Sequence, residues 1–229
     1  MTDGTETLAM AGLSQKWRFY ASKYGWLHAA CRYAGTKAPA FWRLVGKPVT
    51  ARYLRTWMGR PGPKVLNLGG GGHCTDQFLT ADVDPRADVF VDMTKTLPFA
   101  SASFDGVFLE EAIEHVPKPA ALAMLRECAR ICRQGAAIRI TTPDLDWFCR
   151  NYLGAPASSE EINEIFYGHG HAHIYGRAEL ADTVRSCGFD RVVHSSYQDA
   201  GSRLGYLDTH SDRFGHPPDM SQYVEGTRP

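Results

Sequence analysis

The chain has 229 residues, of which 44% are hydrophobic and 22% charged, and its formal net charge is zero. This length suffices for one full-sized domain with a sizeable core, and the composition is typical of a soluble globular protein. No apolar run approaches the roughly 20 residues of a membrane-spanning helix, and the first 15 residues lack the charged-then-apolar order of a signal peptide. We therefore expect a cytoplasmic protein without a membrane span.

The charge is divided unevenly along the chain. Residues 1–64 carry 11 Lys and Arg against two Asp and Glu, whereas residues 65–229 carry 14 against 23. Aromatic residues are interleaved with the basic ones in the first segment. Either these helices pack on their own domain with the cations in solvent, or some cations meet an anionic substrate, a carrier protein or a membrane face. Nucleic acid is not expected as a partner, because the acidic remainder would repel phosphate.

The basic segment predicts helices rather than strands. Residues 16–58 predict two or three helices, and Pro61-Gly62-Pro63 ends this stretch because Pro and Gly together interrupt regular structure. We therefore predict two parts, an N-terminal helical cap over residues 1–60 and a second domain over residues 61–229.

The remainder of the chain alternates strands with helices. Apolar runs predict strands at 64–68, 80–83, 88–92, 106–110, 136–141, 191–196 and 221–227, and amphipathic stretches predict helices at 118–133, 144–153, 159–167 and 177–187. Such alternation predicts an α/β fold with a Rossmann-like, doubly wound, mostly parallel sheet that is covered on both faces. The last run predicts an antiparallel edge strand.

A glycine run follows the first of these strands. Gly69 to Gly72 come directly after it, and Asp82 and Asp92 end the next two strands. Glycines let the backbone approach a ligand, and a carboxylate can accept two hydrogen bonds from ribose hydroxyls. The pattern therefore predicts a nucleoside bound at the carboxyl edge of the sheet.

The spacing within this pattern restricts the ligand. Only 13 positions separate Gly69 from Asp82, whereas a full helix with its two loops needs roughly 20. The first helix must be shortened or absent. A dinucleotide site requires a third spaced glycine opening such a helix, and a phosphate loop requires Gly-Lys-Ser/Thr; the chain has neither.

The motifs VLNLGGGG, ADVDP, VDMTKTLPFASASFDGVFLEEAIEHVP, ITTPDLDWF, GHAHIYGRAELADTVRSCGF and SQYVEGTRP resemble those of class I S-adenosylmethionine-dependent methyltransferases. The chain is similar in particular to a small bacterial subgroup often encoded beside glycan or secondary-metabolite genes, which shares the shortened first helix. The resemblance covers residues 64–229 and implies S-adenosylmethionine as the cofactor. One departure is Asn67, which replaces the usual acid before the glycines.

The resemblance implies roles for individual residues. Glycines 69 to 71 line the methionine moiety of the cofactor, Asp82 holds the ribose hydroxyls, and Asp92 with Met93 lies near the adenine. Two further acids lie where the cofactor's methionine end meets the substrate; these are Glu110 and Glu111.

Histidines are candidate general bases, because their unperturbed pKa lies near neutrality. His115 is either a base or a capping residue of the fold, and His171 or His173 is a base or substrate contact. His171 and His173 could also bind a metal, but no acidic or cysteine partner is apparent, and we expect no metal site. Asp144 is a substrate-binding residue or a helix N-cap, and Tyr175 a substrate contact or a packing residue.

The sequence therefore predicts methyl transfer from S-adenosylmethionine to an oxygen or nitrogen of a small molecule. Whether this molecule is anionic or bound to a carrier stays open. The alternatives are a cofactor-binding protein that does not methylate, and an enzyme that uses the sulfonium charge for another reaction.

Overall fold

The computed structural model describes residues 17–152 and 159–229, and a seven-stranded sheet organises them. The strand order is β3-β2-β1-β4-β5-β7-β6. The strands are β1 Val65–Leu68, β2 Leu79–Asp82, β3 Val89–Phe90, β4 Phe104–Glu110, β5 Cys132–Pro143, β6 Asp190–Ser195 and β7 Ser221–Thr227. Strands β1 to β5 pair in parallel. The predicted fold class is confirmed.

One detail of the sheet differs from the sequence prediction. Strand β7 is antiparallel to both β5 and β6 and lies between them, so β6 forms the edge. The reason is visible in the burial of β7, since Gln222 and Val224 are fully buried and a strand at an open edge would expose more of its surface.

Four helical segments follow the predicted positions closely. They are α4 Lys118–Ile131, α5 Leu145–Tyr152, α6 Ser159–Asn163 with a π-helical turn at Glu164–Gly168, and α7 Arg177–Ser186. A short helix, α8 His210–Phe214, lies where the sequence predicted none. Residues 69–78, between β1 and β2, contain turns and no helix, as the short spacing predicts. No helix among the described residues is both long and apolar enough to cross a bilayer.

The described N-terminal helices pack on the sheet beside β3. They are α1 at 17–24, α2 Trp26–Lys37 and α3 Pro39–Met58. A side chain at Gly46 would lie 2.8 Å from the ring of Phe90, so a glycine is needed for this approach. The backbone N–H of Phe90 donates to Thr50 Oγ1 (3.2 Å). Tyr53 and Trp57 join the same apolar cluster as Leu66 and Leu68. The domain boundary near residue 60 stays a prediction.

A buried ion pair fixes the long loop between β6 and α8 to the middle of the sheet. The guanidinium of Arg139, on β5, donates to both carboxylate oxygens of Asp208 (2.7 and 2.5 Å), and both side chains are fully buried. Its remaining donors meet Ser195 Oγ, Ser202 Oγ and the Ser196 carbonyl. The charge of Arg139 is thus paired and its N–H donors are all hydrogen-bonded.

Breaking this ion pair should cost more than breaking a surface pair. Arg139→Met leaves the Asp208 carboxylate buried without its cation, so we expect the free energy of unfolding to fall by about 3–5 kcal/mol. The control is Arg133→Met, since the pair of Arg133 with Asp105 is largely exposed and should cost about 0–1 kcal/mol. Urea denaturation measures both losses. Equal losses, or no recovery of stability in Arg139→Met/Asp208→Leu, would contradict this assignment.

Candidate active site

The predicted cofactor residues meet at the carboxyl edge of the parallel strands. The glycine turn follows β1, Asp82 ends β2, and Glu110 ends β4. In open α/β sheets this edge is the ordinary place for a ligand. The strand order therefore brings together residues that are 40 positions apart in sequence.

The glycine turn packs too tightly for larger residues. Gly69 has a positive φ of 80°, and a Cβ there would lie 2.7 Å from Cβ of Ala112 and 3.3 Å from Sδ of Met93. A Cβ on Gly70 would lie 2.1 Å from the side chain of Asn67. Oδ1 of Asn67 is buried without a hydrogen-bond partner. The turn thus forms a backbone-walled cradle with one unused polar atom beneath it.

The two aspartates predicted for the nucleoside flank this cradle. Asp82 accepts hydrogen bonds from the backbone N–H of Gly71 (2.9 Å) and of Asp84 (2.8 Å). Asp92 accepts from the backbone N–H (3.0 Å) and the hydroxyl (2.6 Å) of Thr94. Both side chains are half-buried, so their carboxylates are oriented and still accessible.

The Glu110 carboxylate forms hydrogen bonds with other residues of the protein. Its carboxylate accepts hydrogen bonds from Thr209 N (2.5 Å), Thr209 Oγ1 (2.9 Å) and His210 N (2.8 Å), and from Nη1 of Arg213 (2.8 Å). Although burial opposes it, the hydrogen bonds from His210 and Thr209 hold the pKa of Glu110 below its usual value. Glu110 therefore anchors the α8 segment to the end of β4.

The sequence analysis did not single out Arg213, which also approaches the glycine turn. Its Nη1 lies 3.0 Å from Nδ1 of His73, two positions beyond Gly71. Arg213 thereby links Glu110 and α8 to the cofactor edge. An isolated Arg in an irregular stretch gives no sequence signal, because its position depends on the loop that carries it.

A cavity of ≈ 380 Å³ opens beyond the ends of β4 and β5. Four glutamates and five histidines line it, together with apolar rings; the polar residues are Glu111, Glu114, Glu161, Glu164, His115, His169, His171, His210 and His216. No Lys or Arg within the described ranges is among its lining residues. The described part of the N-terminal helices does not line it either, so α5, α6 and α8 supply its outer wall.

Two carboxyl groups share the floor of the cavity. Glu111 has a positive φ of 49°, a strained conformation for a residue with a side chain, and accepts from Ser221 Oγ (2.9 Å). Glu114 is fully buried and accepts from Thr142 Oγ1 (2.9 Å) through Oε2, while its Oε1 has no partner. Burial, and for Glu111 also the neighbouring Glu114 carboxylate, raise the pKa of both groups.

The three candidate histidines separate into two groups. His115 and His171 line the cavity, and their ring centroids are 5.0 Å apart. Nδ1 of His171 lies 2.5 Å from the carbonyl oxygen of Ile165, and burial lowers the pKa of His171. His173 instead pairs through Nε2 with Glu179 (2.8 Å) and does not line the cavity.

The two predicted substrate residues lie elsewhere. Asp144 is buried at the start of α5, where Oδ1 accepts from the backbone N–H of Asp146 (2.9 Å) and Trp147 (3.2 Å), which is the N-cap alternative. Tyr175 is fully buried in the core. The structure brings neither side chain to the cavity, because both are used for packing and capping.

Comparisons with known proteins find similar domains. Residues 77–140 match the family model described as a methyltransferase domain. A ubiquinone biosynthesis O-methyltransferase of Thiobacillus denitrificans is 26% identical over 169 residues, which are 62% of this chain and 71% of that protein. One of Xanthomonas campestris is 26% identical over 122 residues, 42% of this chain and 49% of the relative. The chain thus spans about half the length of that second relative.

Solved structures show the fold. A phosphoethanolamine N-methyltransferase of Haemonchus contortus superposes with a TM-score of 0.52 at 14% identity, over 79% of this chain and 52% of that one. An S-adenosylmethionine-dependent methyltransferase of Thermotoga maritima gives 0.50 at 18% identity, over 86% and 97%.

The fold and the site together define the class. The chain carries a methyltransferase domain with the class I S-adenosylmethionine-dependent fold, which confirms the resemblance seen in the sequence. The matched domain and this fold are those of S-adenosylmethionine-dependent methyltransferases. The subgroup stays a prediction.

The anchoring role of Glu110 predicts a pH effect. Because the folded state holds this pKa below its ordinary value of 4.5, the carboxylate contributes stability at neutral pH that is lost as the pH falls through the folded pKa. Glu110→Gln should lower the free energy of unfolding at pH 7 by about 1–3 kcal/mol and flatten its decline in acid.

The control for this variant is Glu127→Gln, since Glu127 pairs with Arg130 near the surface and should cost at most about 1 kcal/mol. Urea denaturation between pH 3 and 7 compares the two. A Glu110→Gln protein as stable and as acid-sensitive as the unmodified chain would refute the anchoring role.

Proposed function

We propose that the protein transfers the methyl group of S-adenosylmethionine to an oxygen or nitrogen of a small molecule held in the cavity beyond β4 and β5. The observation that carries this proposal is the position of the cavity. Its floor residue Glu111 directly follows Glu110 at the end of β4, and Ala112 touches the glycine turn. An acceptor in the cavity is therefore next to the cofactor cradle.

We assign the cofactor to the residues around the glycine turn. The backbone of Gly69, Gly70 and Gly71 would border its methionine moiety, with open space at Gly71, and Oδ1 of Asn67 is a buried acceptor without a partner beside Gly70. Asp82 would hold the ribose hydroxyls, and Asp92 with Met93 would border the adenine. The glycine turn supports this assignment, since Ala112 and Asn67 already occupy the space where side chains at Gly69 and Gly70 would lie, whereas Gly71 borders open space. Glu110 contributes indirectly, by holding Arg213 beside the turn.

The cofactor supplies an activated methyl group, so the chain has to orient the acceptor, exclude water and accept a proton. His171 is a candidate base. Its Nδ1 faces the Ile165 carbonyl and therefore carries the hydrogen, which leaves a lone pair on Nε2. Its lowered pKa keeps the ring neutral at pH 7, the state that a base requires.

The lining favours an acceptor that is uncharged or positively charged. Four glutamates border the cavity without a lining Lys or Arg in the described ranges. Since burial raises the pKa values of Glu111 and Glu114 to about 8 and about 7, the repulsion of an anionic acceptor comes mainly from Glu161 and Glu164. The sequence left open whether the cations of the N-terminal helices meet an anionic substrate. These helices lie on the β3 side of the sheet, away from the cavity lining. The rings of Phe148, Tyr152 and Phe214 add flat apolar walls. An aromatic hydroxyl fits this combination, and the O-methyltransferase relatives support it.

Cofactor binding can be tested by changing Asp82. Asp82→Asn keeps the shape but removes the charge, so we expect the affinity for S-adenosylmethionine to fall by about 1–3 kcal/mol, or roughly 5- to 150-fold. Isothermal titration calorimetry measures this, with S-adenosylhomocysteine as a second ligand. Asp190→Asn, on the exposed edge strand, is the control and should bind normally. An unchanged affinity in Asp82→Asn would remove Asp82 from the site.

Acceptor choice can be tested with matched small molecules. We expect release of S-adenosylhomocysteine with catechol-type phenols or aromatic amines, and a lower kcat/KM for the same rings carrying a carboxylate. Mass spectrometry of the product identifies the methylated atom. A protein that binds the cofactor but releases no S-adenosylhomocysteine with any of these acceptors would favour the non-methylating alternative. A preference for the carboxylated rings would contradict the charge argument.

A further inference from the structure

Three side chains with metal-binding atoms converge in the wall of the cavity, with Glu114 buried and His115 exposed. One ligand atom each of Glu114, His115 and His171 lies within 4.8 Å of the other two. The first two belong to the turn after β4, and the third comes from the loop before α7. The cofactor assignment uses none of these three residues.

Glu114 has an unused ligand atom inside the protein. Its side chain is fully buried, and Thr142 satisfies Oε2 only. Oε1 has no hydrogen-bond donor unless one of the two neighbouring acids, Glu111 and Glu114, is protonated and donates to the other, and leaving a buried carboxylate oxygen unpaired is costly. The cavity contains no lining Lys or Arg among the described residues to compensate it. A cation at Oε1 would supply the missing partner.

His171 is oriented as metal-binding histidines usually are. The hydrogen bond from Nδ1 to the Ile165 carbonyl fixes the ring and its tautomer and leaves Nε2 free to bind. The loop itself is held to the first ligand, since the backbone N–H groups of Ala172 (2.7 Å) and His173 (3.0 Å) both donate to the carbonyl oxygen of Glu114. The two segments are thus connected independently of any ion.

We propose that Glu114, His115 and His171 bind a divalent transition-metal cation of the Zn²⁺ type. Two imidazoles and one carboxylate suit Zn²⁺ and related ions, with a further position open to water or substrate. Mg²⁺ and Ca²⁺ prefer oxygen ligands and should bind poorly. All three residues line the cavity together with Glu111, so an acceptor in the cavity could reach a cation bound there.

A cation at this site would favour a hydroxyl group as the methyl acceptor. This part of the inference rests on the proposed function. A hydroxyl bound to the cation loses its proton more readily, because the cation stabilises the oxyanion. The proton passes to water, because His171 then binds the cation through Nε2 and no longer serves as the base. The oxygen then forms a bond to the methyl carbon, the carbon–sulfur bond breaks, and its electron pair stays on sulfur. The products are a methyl ether, S-adenosylhomocysteine and one proton.

Metal binding is tested on the full chain after treatment with a chelator. We expect one equivalent of Zn²⁺ to bind in competition with a chromophoric chelator, and Co²⁺ to give the visible absorption of a low-symmetry site. Glu114→Gln and His171→Gln should each weaken Zn²⁺ binding by on the order of 100-fold or more. His194→Gln, on the edge strand, is the matched histidine control and should bind as the unmodified chain does. Millimolar Mg²⁺ should not displace the ion.

S-adenosylmethionine affinity serves as the folding control, since the variants should retain it. Zn²⁺ binding that is absent, or equally strong in His171→Gln, would overturn the site. Equal turnover of a hydroxyl acceptor by metal-free and metal-loaded protein would overturn its role in the reaction and leave methyl transfer intact. Stoichiometric Zn²⁺ binding lost in both variants, with no methyl transfer to any acceptor, would support the site and refute the proposed function.

Discussion

The buried pair of Arg139 and Asp208 is the constraint on which the site side of the molecule depends. Arg139 is on a central strand, and Asp208 ends the loop that returns from β6. The next residues, Thr209 and His210, donate to Glu110 at the end of β4. One ion pair inside the sheet layer therefore determines where α8 begins. From there, Arg213 extends to the glycine turn, and α8 closes one side of the cavity.

This arrangement places the glycine turn beside the cavity. Glu110 and Glu111 are neighbours in sequence, but their side chains serve different regions, Glu110 towards α8 and Glu111 towards the cavity floor. The left-handed conformation of Glu111 permits this change of direction directly after a strand. Strain at this position is consistent with a functional role, since strained residues persist where the surrounding structure holds them.

Much of the fold could be predicted from the sequence, because hydrophobic periodicity and turn residues are local signals. The absence of a helix between β1 and β2 could be predicted from the 13 positions that separate Gly69 from Asp82. The glycine turn and Asp82 lie together as expected. The cavity could not be predicted, because it depends on loops that a buried ion pair positions. Asp144 and Tyr175 lie away from the cavity for a related reason: residues at this edge of the sheet can also cap a helix or fill the core, the alternatives that the sequence left open. The partner that a metal at His171 would need is Glu114, 57 positions earlier, and no spacing rule connects them.

The packing of the N-terminal helices has a consequence for the sheet as a whole. Strand β3 is only two residues long and ends the sheet on one side. Thr50 accepts the N–H of Phe90, and the ring of Trp42 packs against the side chain of Phe90. An open sheet edge can template pairing with a strand of another chain, and natural proteins cover such edges. Besides covering apolar surface, α3 therefore closes this edge against strand addition and aggregation.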